Sequence, residues 1–345
     1  MKAAHAILPF VRGMDEHERL CHLGLSHVEF LRPREKLALI KLLNGAAPIF
    51  ELSLADLARL VGRKLFTQLW HAEEILGSAL QTQNILTESG VESIFYGDTR
   101  YPAQLREIYD PPVTLFLRGT LPRNGDSLAG IVGTRFPTGS ARTAAFRLGF
   151  DLGREGICVV SGLARGIDRE AHEGCVEAGG RSVAVLGNGI DVIYPVSSRP
   201  AAMALLARGG AILSEYPPGV PPLQHHFPAR NRIISGLCRA VVVVQAPERS
   251  GALITAEYAL EQGRDLWVHA AGSQGNAGAG TRRLAEAGAP IISGAADLLH
   301  DWGMSGRDLT IESPGRSEAE RLAWMMKEEM DGTCAVRGGE TYWRR

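Results

Sequence analysis

The stretch that decides the fold is Gly156–Asp168, which reads GICVVSGLARGID. Its first part, Ile157–Val160, is a short apolar run that predicts a buried β-strand. The small residues after it predict a turn, and the residues from Asp168 onward predict a helix. A strand, a glycine-rich turn and a helix N-terminus leave backbone N–H groups free to bind phosphate. Because Arg165 adds a cation inside the turn, the segment predicts an anion-binding site.

Strands and helices alternate on both sides of this segment. The predicted strands are 113–117, 128–132, 157–160, 182–186, 211–214, 240–244 and 265–269. The predicted helices of the same region are 140–155, 169–178, 201–208, 231–237 and 255–262. Continuous apolar strands between helices predict an α/β fold with an extended Rossmann-like, doubly wound and mostly parallel sheet. The ligand site of such a sheet lies at the carboxyl ends of its strands.

The N-terminal region differs in composition from this α/β region. Residues 1–85 carry leucines at helical spacing and predict a small helical domain of the SAM or helix-hairpin-helix type. Within it, Ser53 and Asp56 resemble a capping box, and Gly62 is expected to end the helix. These helices would either touch a DNA backbone or simply pack as ordinary helices, and the sequence leaves both possibilities open.

Three further regions complete the predicted organisation. Residues 86–127 form a proline-broken connector that packs on the core, and residues 128–300 form the Rossmann-like domain. Residues 301–345 form a linker and a short tail, in which 318–330 predict a helix. The last eight residues, 338–345, predict either a wing-like hairpin, as a remnant of a winged helix, or a disordered tail.

Composition limits the classes of partner and the compartment. The net charge of −1 argues against a wholly basic nucleic-acid binder, so any polyanion site must be local. The chain has five lysines, so 32 of its 37 basic residues are arginine, although a GC-rich genome would give the same bias. Five scattered cysteines without a CxxC pair argue against disulfides and structural zinc. With no membrane-span or signal-peptide pattern, we expect a cytoplasmic protein that does not enter a membrane.

Three turns that each follow a predicted strand carry the candidate phosphate contacts. The candidates are Gly133, Thr134 and Arg135 after strand 128–132, Ser161, Gly162, Arg165 and Gly166 after strand 157–160, and Arg199 beyond strand 182–186. Glycine allows close backbone approach, and arginine binds phosphate with two donors. The same glycines would also serve plain strand-to-helix turns. We expect Asp168 to cap the following helix, and His172 to be a packing or capping residue rather than a catalyst.

Two more segments extend the candidate site. No Asp or Glu occurs between Pro217 and Pro247, and this acid-free stretch predicts contact with a polyanion that has stackable bases. Its candidates are Phe227, Arg230, Asn231 and Arg232, of which one arginine is expected to pair with Glu215 instead. The small-residue helix entry after the next strand contributes Ser250, Gly251 and Thr255. A glycine-rich loop at 272–281 is expected near the same face.

The sequence offers no catalytic constellation. It contains no GxSxG, HExxH, CxxC or Walker motif, and no arrangement of a nucleophile with a base can be argued from spacing. We therefore predict no catalytic residue, no metal and no cofactor, and favour binding over turnover. The alternative is a nucleotide-processing enzyme of the phosphoribohydrolase type, for which Glu257 is the candidate acid. A dinucleotide-dependent oxidoreductase is a weaker alternative because GxGxxG is absent.

Ordered motifs between residues 95 and 298 resemble the DNA-processing protein A family (DprA/Smf). They read YPAQLREIYDPPVTLFLRG, GIVGTR, VVSGLARGIDREAHEG, VAVLGNGIDVIYP, LSEYPPG, FPARNRIISGL and SGALITAEYALEQGR. The resemblance implies a Rossmann-like core that binds single-stranded DNA, a homodimer, and loading of the RecA recombinase during natural transformation. It also implies that the candidate residues of the turns, the FPARNR segment and the helix entry contact DNA or shape its pocket.

The sequence departs from the family pattern at three places. The loop after Arg135 reads FPTGSAR where the family has a sequence closer to SxYG. Gln245 stands where the family generally has Glu, which removes a carboxylate from the rim of the site. A full C-terminal winged helix is not recognisable, so no contact of that module is carried over.

Overall fold

A nine-stranded sheet forms the centre of the described chain. Its strands are β1 (Glu92–Phe95), β2 (Thr114–Gly119), β3 (Leu128–Val132), β4 (Cys158–Ser161), β5 (Ser182–Leu186), β6 (Ala211–Ser214), β7 (Ala240–Val243), β8 (Asp265–His269) and β9 (Ile291–Ile292). Their order is β1-β2-β6-β5-β4-β3-β7-β8-β9. β2 runs antiparallel to both β1 and β6, and all other pairs are parallel. The mostly parallel sheet predicted from the apolar strands is therefore confirmed.

The structure is a computed structural model that describes residues 14–66, 70–304, 334–337 and 340–343. The helices of the N-terminal part are α1 (Glu16–Leu25), α2 (Pro33–Leu43), α3 (Leu54–Val61) and α4 (Ala72–Ser89). The helices that follow are α5 (Ala103–Arg106), α6 (Gly139–Arg154), α7 (Ile167–Glu177), α8 (Arg199–Ala207), α9 (His226–Leu237), α10 (Gly251–Glu261), α11 (Ala279–Glu286) and α12 (Ala295–Asp301). None of the helices in these residues is long and apolar enough to cross a membrane.

The two faces of the sheet bury separate apolar layers. One layer joins alternate strand residues such as Val132, Val160 and Val243 to residues of α9 and α10. The other joins the intervening residues, such as Ile131 and Val159, to α6, α7 and α12. Both faces are buried because helices cover each of them, which explains the uninterrupted apolar character of the strands.

The strand order reverses beside β3, and this reversal determines the position of the crevice where a ligand site is expected. β4, β5 and β6 follow on one side of β3, and β7 and β8 lie on the other. The turns after β3 and β7 therefore meet above a crevice at the carboxyl ends of these strands, which is where doubly wound sheets bind ligands. Thr134 after β3 donates its backbone N–H to the carbonyl of Gln245 after β7, at 2.7 Å.

The regions flanking the Rossmann-like part add detail to the predicted organisation. The Ser53 hydroxyl accepts the Asp56 N–H at 3.2 Å and Gly62 ends α3 in the left-handed region, as the capping signals predicted.

α4 continues through residue 85, and the predicted connector supplies β1 and β2, which extend the sheet. β10 (Cys334–Arg337) and β11 (Glu340–Trp343) form an antiparallel hairpin. The predicted helix over 318–330 lies outside the described residues.

Candidate functional site

The first turn, after β3, presents a cation on a fixed backbone. The Thr134 carbonyl accepts the Ile167 N–H at 3.2 Å, and the Thr134 hydroxyl accepts the Phe136 N–H at 3.2 Å. Gln245 holds the far end of the turn, because its side chain accepts the Thr138 N–H at 2.8 Å and donates to the Thr138 hydroxyl. These bonds leave the side chains of Arg135 and Phe136 exposed at the carboxyl edge of the sheet.

The second turn, after β4, lies directly against the first. Gly166 has φ of +80°, and a Cβ atom there would lie 2.5 Å from the Thr134 carbonyl oxygen. Ser161 is buried and donates its hydroxyl to the Ile131 carbonyl at 2.6 Å. Arg165 is exposed, and its Nε donates to the Ser197 hydroxyl at 3.2 Å. The second turn therefore contributes one exposed guanidinium and a backbone that is closely packed on its neighbour.

Asp168 has a different role from the helix cap predicted for it. Gly166 occupies the N-cap position of α7, and the Asp168 carboxylate accepts the Gly162 N–H at 3.1 Å. Burial raises the pKa of the Asp168 carboxyl, while the charge of Arg230 and the turn hydrogen bonds act in the opposite direction. Asp168 therefore closes the second turn from inside the protein, because its side chain points back to the turn rather than to the end of the helix.

His172 is a packing residue, as predicted. It is buried, and its Nδ1 lies 2.7 Å from the Ser182 hydroxyl. Burial lowers the pKa of its imidazole to about 3, and the positive charge of Arg230 adds to the effect. The ring is thus neutral at physiological pH and packs against strand β5 through Ser182.

The third turn, after β5, is fixed by a buried amide. The Asn188 Nδ2 donates to the carbonyls of Gly189 and Val192 at 2.9 and 2.8 Å, and Ser214 donates to the Asn188 carbonyl at 2.6 Å. The chain beyond this turn carries Tyr194, which is 43% exposed. Arg199 is exposed at the first position of α8.

Phe227 brings the first and third turns together. A Cβ atom at Gly187 would lie 2.9 Å from the ring, so glycine is needed for the ring to rest there. The Arg135 guanidinium carbon lies over the Phe227 ring, 5.7 Å from its centroid. The Tyr194 and Phe227 centroids are 5.8 Å apart with an interplanar angle of 36°. A cation and two aromatic rings therefore share one end of the crevice.

Arg230 lies beneath this surface rather than on it. Its side chain is buried, and its Nη1 donates to the Gly162 carbonyl at 3.0 Å and to the Val185 carbonyl. Its Nε donates to the Asn231 side chain at 3.2 Å. Burial lowers the pKa of the Arg230 guanidinium to about 10, and the carboxylate of Asp168 partly offsets this effect. Arg230 therefore joins the second turn to strand β5 as a fixed internal cation.

Arg232 is the arginine that pairs with Glu215. Its Nη2 donates to the Glu215 carboxylate at 2.7 Å, its Nε to the Asp110 carbonyl at 2.9 Å and its Nη1 to the Ala229 carbonyl at 3.0 Å. All three guanidinium nitrogens are engaged inside the protein, so the prediction that Arg232 contacts DNA directly does not fit its position. The prediction that one arginine of this segment pairs with Glu215 is confirmed.

The segment at the start of α10 packs against α9 beneath the crevice, where it supports the candidate site from inside. The Asn231 Nδ2 donates to the Gly251 carbonyl at 3.1 Å, and the Ser250 hydroxyl caps α10 by accepting the Ala252 N–H at 3.3 Å. Thr255 is 1% exposed, which leaves it no surface for a ligand. The predicted glycine-rich loop reaches the same edge of the sheet, where Gly280 donates its N–H to the Ala246 carbonyl at 2.8 Å.

The geometry brings some predicted residues together and separates others. Those on the open side of the crevice are Arg135, Arg165, Arg199 and the half-buried Phe227. Those that support it from inside are Ser161, Arg230, Asn231, Arg232 and Thr255. Tyr194 and Phe136 were not predicted as site residues, although Tyr194 lies within a segment quoted for the resemblance. In the described residues, no group of three or more His, Cys, Asp or Glu side chains could hold a metal ion.

The fold defines a Rossmann-like α/β protein, and exposed arginines lie at the carboxyl edge of its sheet beside the strand switch point. The family model of DNA recombination-mediator protein A matches residues 92–303, and the chain belongs to this family. The DNA processing protein DprA of Streptococcus pneumoniae is 40% identical over 205 residues, which are 59% of this chain and 72% of the relative.

Two solved structures resemble this one. The X-ray structure of DNA processing protein A from Streptococcus pneumoniae has a TM-score of 0.67 and 32% identity, and covers 83% of this chain and 98% of its own. A structure of DNA processing protein A from Helicobacter pylori, which concerns the binding of single-stranded DNA by that protein, has a TM-score of 0.54 and 26% identity. It covers 61% of this chain and 95% of its own. Both similarities agree with the membership of this chain in the DprA/Smf family.

Proposed function

We propose that this recombination mediator binds single-stranded DNA in the crevice above β3, β4, β5 and β7. The observation that carries the proposal is the exposed guanidinium of Arg135 over the Phe227 ring, because a cation beside an aromatic ring suits a phosphate beside a base. The Helicobacter pylori relative binds single-stranded DNA, which supports the proposal.

The binding mechanism is electrostatic and geometric. Arg135, Arg165 and Arg199 supply exposed cations for successive phosphates. The hydrogen-bonded turns fix the backbone from which the Arg135 and Arg165 side chains extend. Phe227 receives a base, a contact that contributes about 1–3 kcal/mol per base. The buried Arg230 adds positive potential behind the second turn. None of these steps reads the base sequence, so binding should tolerate many sequences.

The cellular role that we propose follows the family resemblance. The bound strand is incoming DNA during natural transformation, which the protein protects and on which it loads RecA. The protein acts as a homodimer in the cytoplasm. Sedimentation of the purified chain tests the dimer, and the rate at which RecA starts to hydrolyse ATP on DNA already covered by this protein tests loading.

The enzymatic alternative finds less support in the geometry. A phosphoribohydrolase needs an acidic residue beside a glycine-rich helix entry, and Glu257 is the candidate. Glu257 lies on an exposed face of α10, six residues after Gly251, which is about 9 Å along the helix axis. A carboxylate at that position is too far into the helix to act on a ribose held at its N-terminus.

The test is a titration of a fluorescent oligothymidylate, single-stranded and duplexed, at two salt concentrations. We expect tight binding to the single strand, weak binding to the duplex, and a steep loss of affinity with salt, because each phosphate contact releases counterions. Failure to bind either form would contradict the proposal. Nucleoside monophosphates would then be tried as ligands to test the phosphoribohydrolase alternative.

A further inference from the structure

Tyr194 is an exposed aromatic side chain on a rigid part of the surface. Asn188, itself 1% exposed, donates to the Val192 carbonyl at 2.8 Å, and Val192 donates its N–H to the Gly189 carbonyl at 3.2 Å. In the chain after Tyr194, Ser198 donates its N–H to the Pro195 carbonyl at 2.9 Å. The backbone on both sides of Tyr194 is therefore fixed, while 43% of the residue remains exposed.

The surroundings of this ring are those of a polyanion site. Tyr194 lies 5.8 Å from Phe227, whose ring is covered by the Arg135 guanidinium. Three residues beyond Tyr194, Ser197 accepts a hydrogen bond from the exposed Arg165, and Arg199 is exposed two residues further. Single exposed aromatic residues are common and need no explanation by themselves. An exposed aromatic ring in a segment that also carries exposed arginine positions is typical of surfaces that bind single-stranded nucleic acid.

We propose that Tyr194 is a second base-stacking position, which binds the nucleobase next to the one on Phe227. This inference rests on the proposed function. The two ring centroids are 5.8 Å apart, and a base stacked between them would need about 7 Å, twice the rise of a stacked strand. The rings must therefore take separate bases on separate faces, which makes a two-nucleotide aromatic surface.

Phe227 and Tyr194 differ in how accessible their rings are to a nucleobase. Gly187 lies against the Phe227 ring, and the Arg135 guanidinium covers that ring. A base therefore reaches Phe227 only when Arg135 moves to a phosphate. Tyr194 is already open to solvent on a fixed backbone, so it accepts a base with little loss of conformational entropy. Tyr194 is thus the ring that a base meets first. Because every base has a stackable face, this contact is tolerant of sequence.

The experiment compares two ligands of the same length, oligothymidylate and an abasic deoxyribose-phosphate oligomer. We expect Tyr194→Ala to bind oligothymidylate about 10-fold more weakly than the unaltered chain, the scale of one lost stacking contact. The slope of affinity against salt should stay unchanged, because no phosphate contact is removed. On the abasic oligomer the two proteins should bind equally, since no base is present to stack.

Matched variants separate stacking from other roles. Tyr194→Phe keeps a stackable ring and should bind oligothymidylate as the unaltered chain does, whereas Tyr194→Leu keeps apolar bulk and should bind as weakly as Tyr194→Ala. Tyr109, which is 79% exposed and packs against Arg34 on another surface, is the control: Tyr109→Ala should leave binding unchanged. Equal thermal unfolding of all variants is expected, because the ring at position 194 is half exposed.

The outcomes distinguish this inference from the proposed function. If the unaltered chain does not bind oligothymidylate, the proposed function fails and the inference fails with it. If the unaltered chain binds and Tyr194→Ala binds equally well, only the inference is overturned. A loss that is just as large on the abasic oligomer also overturns it, because Tyr194 would then act on the backbone of the DNA or through the protein structure.

Discussion

The arginines of the first three turns and those of the FPARNR segment are the same residue type at the same end of one sheet, yet their surroundings are opposite. Arg135, Arg165 and Arg199 are exposed, whereas Arg230 and Arg232 are 5% and 6% exposed and bonded to carbonyls or a carboxylate. The outer arginines carry charge that is free to meet a ligand. The inner arginines hold the turns in place, so the first set should control binding and the second stability.

Removal of the inner ion pair should have the largest effect. Arg232→Ala removes the hydrogen-bonded cation of the largely buried Glu215 carboxylate and leaves the carbonyls of Asp110 and Ala229 without these donors. We expect the free energy of unfolding to fall by about 3–5 kcal/mol, which urea unfolding at pH 7 would measure. Arg199→Ala is the matched outer control and should change it by less than about 0.5 kcal/mol. If Arg232→Ala lowers the free energy of unfolding as little as the control does, the distinction between inner and outer arginines is wrong.

A methyl group added at Gly162 would test how rigidly Arg230 is held against the second turn. A Cβ atom at Gly162 would lie 2.5 Å from the Arg230 guanidinium, which two carbonyls fix in place. Gly162→Ala should therefore lower the free energy of unfolding by about 1–3 kcal/mol and weaken DNA binding by displacing the turn. Gly139→Ala is the control, since nothing lies within 4 Å of its added methyl group. Equal stability of the two variants would show that Arg230 moves aside freely.

The buried His172 predicts a pH dependence of stability. The pKa of His172 is lowered to about 3 in the folded chain from 6.5, so the unfolded chain binds the extra proton between these values. Stability from this group is therefore complete above pH 6.5 and is lost as the pH falls towards 3, at up to about 1.4 kcal/mol per pH unit. His172→Gln should flatten the pH profile of unfolding between pH 5 and 6.5. An unchanged profile would mean that His172 is not held neutral.

The outer arginines should show almost no effect on folding and a clear one on binding. Arg135→Ala should change the free energy of unfolding by less than about 0.5 kcal/mol, because its side chain is exposed. The slope of log affinity for oligothymidylate against log salt should decrease by about 0.7 for the lost phosphate contact. Arg208→Ala, an exposed arginine at the end of α8, should keep the full slope. Unchanged affinity and slope in Arg135→Ala would contradict its assignment as a DNA contact.

The central fold was predictable because its strands are buried on both faces. The predicted strands 128–132, 182–186, 211–214 and 265–269 coincide with those of the structure. Elements without that strong apolar signal were not predicted, such as β1 and the two-residue β9 at the sheet edge. The helix α9 begins at His226, five residues before its predicted start, and Pro228 lies in its first turn, where proline is tolerated.

The site was predictable as an edge of the sheet but not as a set of contacts. The turns after β3, β4 and β5 meet at one edge because their strands are parallel. Which residue of each turn faces out depended on partners distant in the chain. Asp168 bonds to Gly162 instead of capping its helix, and Gln245 holds Thr138 at the start of α6.

By itself, the sequence determined the alternation of strands and helices, the three glycine-rich turns and the family to which the chain belongs. These features are local, since each depends on residues near one another in the chain. Only the tertiary structure decided which arginines are free, because exposure depends on whether a distant residue such as Glu215 or Val185 is in reach. The approach of Tyr194 to Phe227 was decided in the same way, because the chain beyond the third turn packs against helix α9, whose Phe227 lies 33 residues further along the chain.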